Sequence, residues 1–300
     1  MQNIGFIGVG IMGTPMVRCL LKAGFPVNVY DRRETQVAPL VEEGVVAKNS
    51  PKEVAESSDI VITMLPNSMI VDSVMFDENG LFEGLTAGKV FIDMSSADYH
   101  TNQRICLRLK DKGVEMLDAP VTGSSKGATE GTLTIMVGGE ESTLEKVRPV
   151  LEAMGSKIIH VGPVGTADIA KACNQMLFAL NLAAASEVFA LAAKAGLDPE
   201  MLLSIANNGS GESYASRVKF DKFVLKRNFK AGFTTNLMAK DVDIALSMAR
   251  NLQVPMRMGD LARETLRIAQ NKGYGLDDCS GMVRIIEDET NVTVEPFNKQ

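Results

Sequence analysis

Two residue types that build many enzyme sites, histidine and cysteine, are scarce in this chain of 300 residues. Its two histidines, His100 and His160, do not favour a histidine-based catalytic unit or a zinc site. The four cysteines are far apart and include no CxxC or metal-spaced pair, which is typical of reduced thiols in a cytoplasmic protein. We therefore predict no metal site and a cytoplasmic location.

The chain also has no excess of basic residues, because it has 31 Lys and Arg and 37 Asp and Glu, for a formal net charge of −6. No Lys/Arg cluster offsets this balance, so we expect no nucleic-acid partner. The N-terminus lacks a basic region and a cleavage site, and we expect no export signal. With 45% hydrophobic residues, the chain is long enough for two domains with filled cores.

A glycine-rich turn follows the first β-favouring run. That run breaks into Gly8-x-Gly10-x-x-Gly13, and a helical pattern comes next. A second strand ends at Asp31, 18 residues beyond Gly13 (31 − 13). This spacing is close to the roughly 20 residues that typically separate the glycine motif from the acid in the dinucleotide fingerprint. The glycines serve the tight turn, the approach of pyrophosphate to the backbone, and close helix–strand packing. We predict a dinucleotide site that includes Gly8, Gly10, Ile11, Met12 and Gly13, with the pyrophosphate at the helix N-terminus.

The residues after the second strand leave the choice between NAD and NADP open. Asp31 would accept hydrogen bonds from the ribose hydroxyls, which favours NAD. Arg32 and Arg33 follow at once and could pair with the 2′-phosphate of NADP instead, or simply lie on a solvated loop. Because the acid occupies the strand end, NAD is the preferred prediction and NADP the alternative.

Apolar runs suited to buried parallel strands alternate with helical patterns in the first half of the chain, for example at 59–65 and 89–94. This alternation predicts an α/β fold with a Rossmann-type, doubly wound parallel sheet. Ligands bind such sheets at the carboxyl ends of strands. The segments that we predict to wall the site are Leu65-Pro66-Asn67, Ser95-Ser96 and the loop Pro120–Ser125, which a turn-like stretch, GATEGTL, follows. Among the residues at the first of these strand ends, we assign Met64, Leu65 and Pro66 to the cofactor.

Beyond Pro163 no convincing strand is found, and helical patterns joined by short connections fill the rest of the chain. We predict a Rossmann domain over 1–163 and an all-α domain over 164–300. The longest helix, 166–193, has no Gly or Pro, and its second half is apolar nearly all round, so we expect that half to be buried. Polar residues interrupt it too often for a membrane span, namely Asn181, Ser186 and Glu187.

Several motifs occur in order and at sensible intervals: GFIGVGIMGTPM, MLPNS, DMSS, DAPVTGSSKGATEGTLTIMVGG, KACNQ and NFKAGFTTNLMAKD. Together they resemble the β-hydroxyacid dehydrogenases of the 3-hydroxyisobutyrate dehydrogenase type, over nearly the whole chain. The resemblance implies a Rossmann domain, a helical C-terminal domain and a long helix between them. It also implies NAD(P)-dependent interconversion of a small β-hydroxy acid, a carboxylate substrate, and its semialdehyde by hydride transfer.

The same resemblance assigns roles to residues on the long helix and in the loops. Lys171 takes the place of the family's catalytic lysine, which acts as general base in oxidation and as general acid in reduction. Asn174, one turn on, matches an amide that orients substrate, and Gln175 stands where many members have a second Asn. The segment Thr122-Gly123-Ser124 matches the loop for the substrate carboxylate, which more often reads Ser-Gly-Gly. Two further residues match cofactor contacts, Ser96 and Lys240.

Several alternatives stay open. The segment NNGSGESY at 207–214, expected near the far end of the substrate, resembles 2-(hydroxymethyl)glutarate dehydrogenases, whereas RNFKAGF resembles tartronate semialdehyde reductases. A non-catalytic, oligomerising member is a rival of another class, but such relatives lose the lysine. A decarboxylating, 6-phosphogluconate dehydrogenase-like activity would need a cluster of basic residues that is not found. We also predict a homo-oligomer, a dimer or tetramer, because the long helix has more apolar surface than one small domain can cover.

Overall fold

The computed structural model describes residues 2–230 and 232–297, so Ala231, in the NFKAGF motif, lies outside the described residues. The chain forms two compact units, of which one ends at Lys171 and the other begins at Ala172. This division falls inside the long helix, whereas the pattern of the sequence places the domain boundary after residue 163. The earlier boundary stays a prediction.

A mixed, mostly parallel sheet forms the centre of the first unit. Its strands are β1 (Ile4–Ile7), β2 (Val27–Tyr30), β3 (Val46–Ala47), β4 (Ile60–Thr63), β5 (Val90–Asp93), β6 (Glu115–Asp118), β7 (Val121–Thr122), β8 (Leu133–Gly138) and β9 (Gly155–Gly162). Their order is β3-β2-β1-β4-β5-β6-β8-β7, and β9 pairs with β8. The strands from β3 to β6 are parallel, while β8 runs antiparallel to β6 and β7. The predicted Rossmann-type sheet is confirmed.

Helices cover both faces of this sheet. They are α1 (Gly13–Lys22), α2 (Glu34–Glu42), α3 (Pro51–Glu56), α4 (Ser68–Phe76), α5 (Leu81–Gly84), α6 (Tyr99–Lys110), α7 (Ser124–Glu130) and α8 (Glu141–Glu152). Successive strand residues point to opposite faces, so Phe6 joins one apolar cluster and Ile7 the other. The central strands β1, β4 and β5 are mostly apolar because both of their faces are buried.

Helix α7 corrects one expectation, because residues 124–130 are helical where the sequence predicts the end of a loop and a turn. Ser, Gly and Thr give this stretch a low intrinsic helix propensity. Its Gly127 and Ala128 are buried, and Cys19 of α1 lies with its Sγ 3.3 Å from the Ala128 carbonyl oxygen. Small residues permit this close approach, so packing between helices outweighs propensity.

The second unit is helical, as predicted. After α9 (Thr166–Lys194), which spans the division, the helices are α10 (Pro199–Asn208), a π-helix (Ala215–Val224), α11 (Thr235–Asn251), α12 (Arg257–Asn271), a short 3₁₀ turn (Cys279–Met282) and α13 (Val283–Thr290). Among its described residues the β-structure amounts to an isolated bridge between Thr234 and Asp278. One apolar cluster, which includes Phe189, Phe220 and Leu266, forms its core.

Helix α9 is less buried than its composition predicts. In its second half Val188 and Leu191 are 52% and 70% exposed, so the expectation that this half is buried is wrong for one face. Leu177, in the first half, is 62% exposed. Among the described residues this helix is long and apolar enough to cross a membrane by length and composition. Such a criterion is weak evidence for one helix, because the core helix of a soluble protein also meets it.

Candidate active site

The glycine turn after β1 has the shape that the fingerprint requires. Gly8 has a φ of +95°, which favours glycine, and a Cβ there would lie 2.4 Å from the Met64 carbonyl oxygen. A Cβ on Gly13 would lie 1.9 Å from the Gly8 carbonyl oxygen, so the start of α1 packs directly on the turn. At Gly10 the nearest atom would be 3.8 Å away, on Arg33, which leaves space beside the backbone. These residues fit a pyrophosphate at the helix N-terminus.

Asp31, directly after β2, is connected to this turn. Its Oδ2 accepts a hydrogen bond from Val9 N at 3.0 Å, and its Oδ1 accepts one from Arg33 N at 2.9 Å. A carboxylate offers about four lone-pair sites, so these two bonds leave acceptor capacity for a ribose hydroxyl. Arg32 and Arg33 are exposed, and Arg33 Nε lies 3.4 Å from Asp31 Oδ1. The acid therefore fits the adenosine end of a dinucleotide.

The segments that follow β1, β4 and β5 share one edge of the sheet, because these strands are parallel neighbours. Met64 N donates to the backbone of β1 at 2.9 Å, and Leu65 N donates to Ser95 Oγ at 2.9 Å. Two of the predicted cofactor residues at this edge, Ile11 and Pro66, are exposed. The others are half-buried, namely Met12, Met64, Leu65 and Ser96. The structure brings this set together beside the glycine turn.

Lys171 lies in the second turn of α9 and is the last residue of the first unit. It is buried, with 8% of its surface exposed, and its Nζ donates a hydrogen bond to the Val121 carbonyl oxygen at 2.9 Å. Val121 begins β7 and directly precedes Thr122-Gly123-Ser124. The predicted catalytic amine and the predicted carboxylate loop are therefore brought together within one unit.

The Thr122–Ser124 turn carries backbone strain. Gly123 has a φ of +138° and Ser124 a φ of +61°, both in the region that L side chains rarely adopt. For a residue other than glycine this conformation costs on the order of 1–3 kcal/mol and is found most often at ligand-binding and catalytic sites. Thr122 is half-buried, while Gly123 and Ser124 are exposed. An exposed, strained turn beside a buried amine supports the hypothesis that it binds a ligand.

Three predicted residues lie in the second unit and form a group of their own around Asp241. Gln175 Nε2 donates to Asp241 Oδ2 at 2.8 Å, and Asn174 Nδ2 donates to Gln175 Oε1 at 3.2 Å. Lys240 Nζ lies 3.1 Å from Asp241 Oδ1. Asn174 is exposed, whereas Gln175 and Asp241 are 5% and 4% exposed. Both ends of the Gln175 amide are engaged, so its contact with substrate stays a prediction.

Asp118, at the end of β6, is a site residue that the sequence patterns did not single out. Its Oδ1 accepts from Gly165 N at 2.8 Å, and its Oδ2 accepts from Ala167 N and Asp168 N, each at 3.0 Å. Burial raises the pKa of this carboxyl, and the backbone N–H bonds oppose that shift. An acid at the carboxyl end of a buried strand, just before Ala119-Pro120, was the available signal.

Asn102 on α6 bridges two more buried acids. Its Nδ2 donates to Asp93 Oδ2 at 3.0 Å and to Asp168 Oδ2 at 2.9 Å. Burial, together with the charges of Asp118 and Asp93, raises the pKa of Asp168 well above its usual range. Within residues 2–230 and 232–297, no group of three or more His, Cys, Asp or Glu could hold a metal ion.

Comparison with known proteins agrees with this geometry. Residues 3–162 match the family described as the NAD binding domain of 6-phosphogluconate dehydrogenase. Residues 165–286 match the NAD-binding family of NADP-dependent 3-hydroxyisobutyrate dehydrogenase. The 2-(hydroxymethyl)glutarate dehydrogenase of Eubacterium barkeri is 40% identical over 292 residues, which cover 97% of each chain. The chain belongs to the β-hydroxyacid dehydrogenase family.

Other relatives of this β-hydroxyacid dehydrogenase are also named as dehydrogenases of small hydroxy acids. The NAD-dependent L-serine dehydrogenase of Pseudomonas aeruginosa is 36% identical over 96% of this chain and 98% of its own. The structure of a 3-hydroxyisobutyrate dehydrogenase of Mycobacterium tuberculosis with L-serine superimposes with a TM-score of 0.90 at 33% identity, over 95% of this chain and 99% of the other. The chain is thus an NAD(P)-dependent oxidoreductase acting on CH–OH groups.

Proposed function

We propose that this dehydrogenase oxidises the terminal hydroxyl of a small 3-hydroxy acid, or reduces the matching semialdehyde, with Lys171 as general acid/base. The observation that carries the proposal is the buried Lys171 amine, held by Val121 directly beside the strained Thr122–Ser124 turn. A bound nicotinamide supplies the hydride acceptor or donor. In oxidation, the neutral Lys171 amine takes the hydroxyl proton, and in reduction its ammonium returns a proton to the oxygen.

The substrate carboxylate is assigned to the turn formed by Thr122, Gly123 and Ser124. Gly123 and Ser124 are exposed residues, and successive backbone N–H groups in a turn can form a concave anion site, to which the Thr122 hydroxyl would add a donor. Holding the carboxylate there would fix the hydroxyl-bearing carbon relative to Lys171, and such orientation is a large part of the advantage of an enzyme site. Asn174 and Gln175 are assigned to substrate orientation, and Lys240 to the cofactor.

The names of the relatives define a substrate class more narrowly than "hydroxy acid". The compounds 2-(hydroxymethyl)glutarate, L-serine and 3-hydroxyisobutyrate share a –CH2OH group on the carbon that bears the carboxylate. They differ in the remaining substituent of that carbon, which is an acidic chain, an ammonium or a methyl group. We infer that the chain acts on this class and that the substituent decides the substrate.

The segment 207–214 is our candidate for reading that substituent. Ser213 Oγ accepts from Ser216 N at 3.2 Å, so Ser213 serves the start of the π-helix. Tyr214 is 52% exposed, and its ring lies edge-on to Phe178 at 5.1 Å between centroids. The exposed Ser210 and the outer edge of Tyr214 are therefore the groups available for recognition. A 2-(hydroxymethyl)glutarate dehydrogenase-type or a tartronate semialdehyde reductase-type activity remains the specific alternative.

Three further assignments accompany this function. Asp31 favours NAD over NADP, because the acid lies at the strand end while both neighbouring arginines are exposed. The exposed apolar face of α9 supports a homo-oligomer built through the helical unit. Separated cysteines without a disulfide among the described residues are typical of a cytoplasmic protein.

The test is a kinetic panel on the purified protein. The three hydroxy acids and tartronate semialdehyde are each assayed with NAD(H) and NADP(H) by nicotinamide absorbance, next to Lys171→Ala. We expect one member of the class to give a kcat/KM at least about tenfold above the others, a difference of about 1.4 kcal/mol in transition-state binding. A folded protein that turns over none of these compounds with either cofactor would contradict the proposal.

A further inference from the structure

The segment Asp118–Val121 contacts the start of α9 and also the side chain of Lys171. The Asp118 carboxylate accepts hydrogen bonds from three backbone N–H groups at the helix start, and the Val121 carbonyl accepts one from the Lys171 side chain. A helix leaves its first N–H groups without partners inside the helix, and its dipole favours a carboxylate there. One short segment therefore fixes the turn that precedes Lys171 and also the tip of its side chain.

The Asp118 side chain is tightly confined. It is 0% exposed, and it pairs across the sheet with Gly138 of β8. A Cβ on Gly138 would lie 2.3 Å from Asp118 Oδ1, so only glycine leaves room for the carboxylate in this position. The carboxylate consequently holds the helix start in one place rather than over a range of positions.

Asn102 supplies a second connection to the same helical turn. It links Asp168, three residues before Lys171 on the same face of α9, to Asp93 at the end of β5. Asp93 is also the register partner of Asp118 on the neighbouring strand. The first turn of α9 is thus held by the carboxyl ends of two adjacent strands.

We propose that Asp118 and Asn102 are positioning residues for the proton-transfer amine. By fixing the first turn of α9, they set where Lys171 holds its nitrogen relative to the carboxylate loop. This rests on the proposed function, in which Lys171 exchanges a proton with the substrate oxygen. Proton transfer needs the two heavy atoms within about 2.6–3.2 Å of each other. A displacement of about 1 Å can cost about 10²-fold in rate.

The test is a double-mutant cycle with Asp118→Asn and Lys171→Ala. The asparagine keeps one acceptor oxygen but sets an NH2 group against backbone N–H donors. We expect Asp118→Asn to lower kcat about 10- to 100-fold and to leave the Kd for NAD within about threefold. In the Lys171→Ala background the same change should cost less than about threefold, because residues that act as a unit are not additive.

Asp198→Asn is the matched control. Asp198 also caps a helix, α10, through a bond from Glu200 N at 2.9 Å, but it lies in the other unit. We expect kcat to stay within about twofold in both backgrounds. Asn102→Ala repeats the cycle with the Asp118 cap intact, so the proposal is tested even where Asp118→Asn does not fold.

The outcomes separate the two proposals. Equal fold losses in both backgrounds, or a kcat for Asp118→Asn within about twofold of wild type, overturn the positioning role alone, provided that Lys171→Ala is nearly inactive. A Lys171→Ala enzyme with near wild-type kcat overturns the proposed function and the positioning role with it.

Discussion

The Lys171 side chain is oriented by the Val121 carbonyl, to which its Nζ donates at 2.9 Å. The bond connects the helix that carries the amine with the strand that leads into the Thr122–Ser124 turn, the proposed carboxylate site. Because Lys171 is only 8% exposed, loss of its side chain would change this buried position and little of the surface. The proposed catalytic role of Lys171 can therefore be tested by a substitution that leaves the dinucleotide site intact.

Lys171→Ala should remove most turnover while cofactor affinity is kept. General acid–base groups typically contribute about 10²- to 10⁴-fold, so we expect a kcat loss of that size and a Kd for NAD within a few-fold of wild type. Lys194→Ala is the control, because Lys194 lies on the same helix and also donates to a carbonyl, that of Thr290, at 2.7 Å. A Lys171→Ala enzyme that matches Lys194→Ala in kcat would end the assignment.

Asp31 offers a test of cofactor choice. Asp31→Ala should weaken NAD more than NADP, since the ribose acceptor matters only where the 2′-hydroxyl is free. A hydrogen bond to a charged group is worth about 1.5–3 kcal/mol, which predicts a loss of roughly tenfold or more for NAD. Val9 N also loses its acceptor in this variant, so a smaller loss for NADP is expected.

Asp31→Asn keeps an acceptor oxygen for Val9 N. Comparing it with Asp31→Ala shows how much of the loss comes from the missing bond to Val9 rather than from the missing bond to the ribose. The Kd values of both cofactors are measured by titration for the wild type and the two variants. Equal losses for NAD and NADP in Asp31→Ala would show that Asp31 supports the turn and does not select the cofactor.

Ser124→Gly should stabilise the protein. Its φ of +61° costs a residue with a side chain about 1–2 kcal/mol, whereas glycine adds an entropic cost of about 0.5–1 kcal/mol. We expect a net gain of roughly 0.5 kcal/mol in the free energy of unfolding. Ser125→Gly is the control, because Ser125 follows within the same helix without a positive φ and should lose stability. Urea unfolding measures the free energy of unfolding of both variants. A Ser124→Gly protein less stable than wild type would contradict the claim that Ser124 is strained.

Asp168 predicts a pH dependence of stability. Its pKa in the folded protein lies above its ordinary value of 3.8, so the folded state holds a proton that the unfolded chain releases. The stabilising contribution is fully present below about pH 4 and is lost as the pH rises through the folded pKa. Asp168→Asn removes this titration and keeps an acceptor for Asn102. We expect the stability of the variant relative to wild type to increase from about pH 4 to about pH 8.

Asp198→Asn, at a half-buried helix cap, controls for general effects of a lost carboxylate. Urea unfolding of the wild type, Asp168→Asn and this control is measured at each pH across the range. A constant offset of Asp168→Asn from wild type across that range would contradict a raised pKa of Asp168 in the folded protein.

The sequence predicted those features that depend on short segments. The Gly8–Gly13 turn and its spacing to Asp31 are local, and the structure keeps their geometry. The bonds of Asp118 to the start of α9 join residues far apart in the chain, so no spacing rule could reveal them. Helix α7 was missed because its burial on α1, rather than its propensity, stabilises it. An uncovered apolar surface on α9 was predicted, but not its position, because composition alone does not say which side of an apolar helix is covered.

That exposed face predicts how the protein assembles. Leu177, Val188 and Leu191 lie along one side of α9 and are more than half exposed, and such apolar stripes mark interfaces. We expect an oligomer at micromolar concentration by sedimentation velocity. Leu191→Glu should dissociate it or weaken its association at least about tenfold, because a buried, unpaired carboxylate is costly.

Leu107→Glu is the matched control for that experiment. Leu107 is 68% exposed against 70% for Leu191, but it lies on α6 in the first unit. The two variants therefore add the same charge at equally exposed leucines, one on the helical unit and one on the sheet unit. Dissociation by Leu191→Glu alone supports assembly through α9, and dissociation by Leu107→Glu alone would move the interface to the sheet unit. A wild-type protein that sediments as a monomer refutes the oligomer, and the apolar face of α9 would then be exposed to solvent in the working enzyme.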